Sequence, residues 1–93
     1  MIRVKNLNGT ADNGRPFGYL SWKNYWERKK GKPFGICSCT GCFERAEVGA
    51  HVLIDSTTDN RWYIVPLCIH HNVSNKNQVF TVNEADLVEA NPK

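Results

Sequence analysis

The chain has 93 residues, with 12 Lys and Arg against 9 Asp and Glu, a formal net charge of +3 at pH 7. That length suits one domain, 1–93, and hardly two, and so small a core often draws on a metal for support. The mild basic bias is compatible with nucleic-acid binding without demanding it, and no run approaches the ~18 apolar residues of a membrane span.

MIRVKNLNGT holds basic residues but no apolar stretch of the kind a signal peptide carries. The expected location is therefore the cytoplasm, where four cysteines serve metal or chemistry rather than disulfides. IRVKNL (2–7) alternates apolar and polar residues and predicts a short strand. NGTADNGRPFG (8–18), dense in Gly, Asn, Asp and Pro, predicts a loop. SWKNYWERKKGK then predicts a helix over 21–30, with Ser21 as N-cap, basic residues in the last turn and Gly31 at its end.

Trp22, Tyr25 and Trp26 stand at helical spacing on this segment. Such a stripe can be core packing or a stacking platform for bases; with charges on the opposite face, core packing is the expectation. Arg28, Lys29, Lys30 and Lys32 follow, four cations in five positions. They are candidate phosphate contacts, although cations also simply favour the C-terminal end of a helix.

AEVGAHVLI (46–54) alternates Val48, Ala50, Val52 and Ile54 against Glu47, Gly49, His51 and Leu53. RWYIVP (61–66) is rich in β-branched and aromatic residues, and DSTTDN (55–60) supplies turn chemistry between the two, so the pair predicts an antiparallel hairpin. A short helix is expected from about Cys68. QVFTV (78–82) is a strand candidate that could pair across a dimer if left on an edge. EADLVEANP (84–92) suits either a helical turn or an extended segment. No internal repeat, linker or low-complexity tract interrupts the chain.

Metal-ligating residues bracket the hairpin: ICSCTGC before it and VPLCIHHN after it. Zinc prefers four tetrahedral thiolate and imidazole ligands. Cys68 and His71 are three residues apart, so both side chains lie on one face of a first helical turn, with His70 turned away. On the other side three cysteines compete. Cys39 and Cys42 form a CxxC pair, whereas Cys37 and Cys42 form a wider loop with Gly41 just before the second ligand. Composition does not choose between them.

From Cys37 to Asn72, a little over a third of the chain, the order of CSCTGC, GAHV and PLCIHHN resembles an HNH-type (ββα-metal) domain on a treble-clef zinc finger. The resemblance implies an α+β fold, a small zinc-stabilised finger with an N-terminal helix and additional short strands around a 37–72 core. It implies zinc held by Cys37, Cys42, Cys68 and His71, His71 replacing the family's last zinc cysteine and Cys39 left as a spare thiol. It also places His51 at the general-base position and Asn72 at a helix position that usually holds a metal-binding His or Asn. A base so placed is worth about 10²–10⁴ in rate.

The sequence departs from that pattern where the nuclease needs oxygen ligands for a hard cation. Ala50 stands at the acidic position before the base, and Tyr63 at the position of the motif's middle Asn. Asp59 or Asn60 would have to compensate. His51 can then be a surviving base, a group that orients a ligand, or a structural histidine between hairpin and helix. The reading adopted is a non-catalytic zinc-binding module that recognises nucleic acid, with Arg28, Lys29, Lys30 and Lys32 as contacts, or a protein partner. The alternatives are a divergent metal-dependent endonuclease with His51 as base, and a small factor that blocks another protein.

Overall fold

The computed structural model describes residues 2–6, 18–55, 61–74 and 79–90, without the side chains of 72–74. In chain order these form β1 (Ile2–Asn6), α1 (Trp22–Lys30), β2 (Val48–Ile54), β3 (Tyr63–Leu67), α2 (Ile69–Ser74), β4 (Val79–Val82), a 3-10 turn (Glu84–Asp86) and β5 (Val88–Glu89). The fold is α+β, with one antiparallel five-stranded sheet in the order β4-β1-β2-β3-β5. Among the described residues no helix is long and apolar enough to cross a membrane.

α1 forms where local chemistry directs it. Ser21 is extended and its side chain accepts a hydrogen bond from the Asn24 N–H at 3.0 Å, while Gly31, at φ 72°, closes the other end. The apolar stripe is core: Tyr25 and Trp26 are buried and Trp22 half-buried. Trp26 donates its indole N–H to the Asp86 carbonyl at 2.7 Å, and Tyr25 its hydroxyl to the Glu89 carbonyl at 2.9 Å. Of the ambiguous segment 84–92, the described part contains a helical turn (Glu84–Asp86) and then a short edge strand (Val88–Glu89), each fastened to α1, where either form alone is the expectation from sequence; 91–92 lie outside the described residues. The Gln78 end of the 78–82 strand, the 8–17 part of the loop and the turn at 56–60, with Asp59 and Asn60, fall outside the described residues.

β2 pairs with β3 through Val48↔Leu67, Ala50↔Val65 and Val52↔Tyr63, the predicted hairpin, starting two residues later than the 46–54 reading. Its burial does not alternate: Gly49, Ala50, His51 and Val52 are all buried. A central strand with both faces covered loses the polar-out signature. Val4, Ala50, Val52, Val65, Leu67 and Val82 form one core with Cys37 and Cys68; Tyr25, Trp26, Ile64 and Ala90 form a second core beneath α1. Gly49 lets the helix approach, since a Cβ there would lie 2.9 Å from the Trp22 carbonyl carbon and 3.0 Å from the Lys23 nitrogen.

Candidate metal centre

The segment 36–45 doubles back as a small knuckle. Ile36 and Arg45 form an antiparallel bridge, and the Cys37 N–H donates to the Glu44 carbonyl at 2.7 Å. A tight turn at its tip has the Cys42 N–H donating to the Cys39 carbonyl at 3.0 Å, with Gly41 at φ 83°. Only a residue without Cβ takes that conformation at little steric cost. The knuckle is tied to the sheet from two sides: the Ser38 N–H donates to the Pro66 carbonyl at 2.9 Å, and the Thr40 N–H to the Thr81 carbonyl at 2.9 Å. The Ser38 hydroxyl also donates to the Asp86 carboxylate at 2.7 Å.

β3 delivers Cys68 to its end, and α2 starts one residue later, so His71 rises on the same side. Cys37, Cys42, Cys68 and His71 converge, their ligand atoms all within 4.8 Å of one another. Cys42 Sγ lies 3.9 Å from Cys68 Sγ, Cys37 Sγ 3.7 Å from His71 Nδ1, and Cys68 Sγ 3.2 Å from His71 Nδ1. A tetrahedral ion with bonds of about 2.3 Å to sulfur and about 2.0–2.1 Å to nitrogen has edges of roughly 3.8 Å and 3.6 Å. The four side chains form a cluster that can hold a metal ion, and these three separations lie near the edges of such a tetrahedron.

Burial pushes the Cys37 thiol up to about 12, and the backbone N–H groups of Cys68 and Cys39 only partly offset this. Without an ion, that burial favours the neutral thiol, so metal binding there would release its proton. The backbone N–H of His71 donates to Cys68 Sγ at 3.3 Å, which ties the helix start to that ligand. Cys37, not Cys39, belongs to the cluster. Cys39 is half-buried beside it, its thiol raised by burial and by the neighbouring Cys42 and Cys68 sulfurs. His70 is exposed.

His51 sits elsewhere. Ala50 and Val52 pack with Cys37 and Cys68, so strand alternation turns His51 to the other face, under α1. There its ring meets Trp22 edge to face at 4.6 Å and Trp62 at 5.5 Å. It is 2% exposed, and Nδ1 has no hydrogen-bond partner among the described residues. Burial lowers its pKa to about 4. The Asn72 side chain lies outside the described residues.

The basic residues fan around the end of α1 rather than lining one stripe, as successive helical positions must. Arg28 lies over the Tyr19 ring at 5.9 Å and Lys29 over the Tyr25 ring at 5.4 Å. Lys30 donates to the Ala85 carbonyl. Lys32 is exposed on the rim of a cavity of about 250 Å³ that Trp26, Pro33, Pro66 and Asp86 also line. The sequence signalled neither the Ser38–Asp86 bond nor the two indoles around His51. It did carry one sign of the α1 contact, a glycine inside a strand, which often marks close backbone approach. Comparisons with protein families, curated proteins and solved structures find no match to the chain.

Proposed function

We propose that the chain is a non-catalytic zinc-binding module on an HNH-like, treble-clef finger that recognises nucleic acid. The observation that carries the metal half is the convergence of Cys37, Cys42, Cys68 and His71 to within 4.8 Å, across an intervening hairpin. A knuckle, a hairpin and then a helix start that carries the last ligand is the order in which a treble clef is built. Zinc in such a site is structural, because all four positions are protein atoms and none is left open for substrate.

The non-catalytic half is supported by His51. A general base must reach the proton it takes, whereas this ring is enclosed by Trp22 and Trp62 on the sheet face away from the cluster. Of its three sequence readings, a structural histidine accords best with that burial. Ala50, at the position where a nuclease needs a carboxylate, is 1% exposed among core side chains.

Nucleic acid is supported by the net charge of +3 and by exposed Arg28, Lys29 and Lys32 at one end of α1. Gel shifts of the zinc-loaded protein on single- and double-stranded DNA and RNA test this reading. Binding should weaken steeply with salt, and a variant with all three cations changed to Ala should show a shallower dependence, by about one unit of log-log slope per lost phosphate contact. Absence of any shift at low salt would turn the module toward a protein partner. Plasmid cleavage with magnesium, manganese or nickel that is lost in His51→Ala would instead establish the endonuclease reading.

A further inference from the structure

We propose that Cys39 and Cys42 form a peroxide-oxidisable pair, whose disulfide removes Cys42 from the metal cluster and releases the ion. This rests on the metal reading above, but it concerns a thiol that the cluster does not use. The four ligands differ in accessibility: Cys37 and Cys68 are 2% and 4% exposed, while Cys42 is only half-buried, and so is Cys39. The two accessible thiols are therefore those at the knuckle tip.

Their backbone is already arranged for a bridge. The Cys42 N–H donates to the Cys39 carbonyl at 3.0 Å, closing a four-residue turn. Such a turn keeps its end Cα atoms within about 7 Å, and a disulfide spans about 4.4–6.8 Å. A cavity of about 210 Å³ opens on the same residues, with Ser38, Phe43, Asn83 and Asp86 also in its wall. That is ample for hydrogen peroxide or a small hydroperoxide, since one water occupies about 30 Å³.

The chemistry divides between the two sulfurs. Cys42, as a ligand, is a thiolate and so the nucleophile. Its sulfur attacks a peroxide oxygen and breaks the O–O bond. The leaving oxygen departs as water, or as the alcohol of an organic hydroperoxide, once it takes a proton from solvent, and Cys42 becomes a sulfenic acid. Cys39, outside the metal cluster, then attacks the Cys42 sulfur, giving up its thiol proton as it does so. The sulfenic hydroxyl leaves with the Cys39 proton as water, and the S–S bond forms. The two sulfurs together give up two electrons, and the peroxide takes both. Cys42 no longer offers a thiolate, three protein ligands remain, and the ion is free to leave. A dithiol reductant reverses the step.

The test uses the full chain loaded with zinc and treated with hydrogen peroxide. Released metal is followed with a chromophoric chelator, free thiols are counted, and the disulfide is located by tryptic mass spectrometry with fragmentation. The expected result is loss of two of the four free thiols, a bridge joining Cys39 to Cys42 within the 31–45 peptide, and metal release in step with it. Cys39→Ser should still bind zinc, but peroxide should carry its Cys42 on to the sulfinic acid, with no disulfide and no recovery of zinc binding after a dithiol reductant, where the wild-type protein recovers. Recovery by Cys39→Ser equal to that of the wild type, or a bridge from the 31–45 peptide to Cys68, would overturn the proposal. Protein that binds no zinc at all would refute the metal reading instead, and the thiol map would still decide whether Cys39 and Cys42 pair.

Discussion

His51 makes the stability of this protein depend on pH in a defined window. Its folded pKa is about 4 because burial between Trp22 and Trp62 disfavours the imidazolium, against an ordinary value of 6.5. Below 6.5 the unfolded chain binds a proton that the folded chain refuses, so stability is complete above that pH and falls as the pH drops. The loss ends near the folded pKa, below which both states are protonated. At about 1.4 kcal/mol per unit, the full shift corresponds to about 3 kcal/mol, of which about 2 kcal/mol is lost between about pH 7.5 and pH 5. His51→Phe keeps an aromatic ring between the indoles and removes the titration. Urea unfolding of both proteins at the two pH values isolates the effect, because protonation of the metal ligands weakens both alike and cancels in the difference. The wild-type protein should lose about 2 kcal/mol more than His51→Phe. Equal losses would refute the assignment of a neutral, enclosed imidazole.

Four further outcomes follow from the same geometry. Zinc removal by a strong chelator should unfold the chain, since structural sites contribute about 10–16 kcal/mol and a whole domain is stable by only about 5–15 kcal/mol; an unchanged circular dichroism spectrum after chelation would rule out a closed structural site. Gly49→Ala should lower stability by about 1–3 kcal/mol or more in urea unfolding, because its Cβ meets the α1 backbone at 2.9 Å. Gly41→Ala, with open space around it but φ 83°, should cost a smaller amount, about 1–2 kcal/mol; the reverse order would contradict the close approach of α1. Ser38→Ala removes a partly buried hydrogen bond to the Asp86 carboxylate and should destabilise by about 1–2 kcal/mol, read as a lowered thermal midpoint, whereas an unchanged midpoint would mean that bond does not anchor the knuckle.

Local chemistry by itself determined a good part of this protein. Ser21 and Gly31 bound α1 because capping acts within one helical turn. The hairpin and the Cys68–His71 pair were legible for the same reason, since strand period, turn composition and i, i+3 spacing are short-range properties. Only the tertiary structure decided the rest. Spacing alone leaves Cys37 and Cys39, two cysteines of one short loop, both open; the family resemblance implies Cys37, and the physical choice rests on how the knuckle is pinned to Pro66 and Thr81, residues distant in sequence. The sheet order, with β4 beside β1 and β5 beside β3, rests on pairings that no local pattern encodes. His51 shows the limit most clearly: alternation separates it from Ala50 and Val52, but which face receives the metal cluster and which receives α1 is fixed by what packs against the sheet. Burial on both faces of β2 then erases the polar signature from which a sequence could have told them apart.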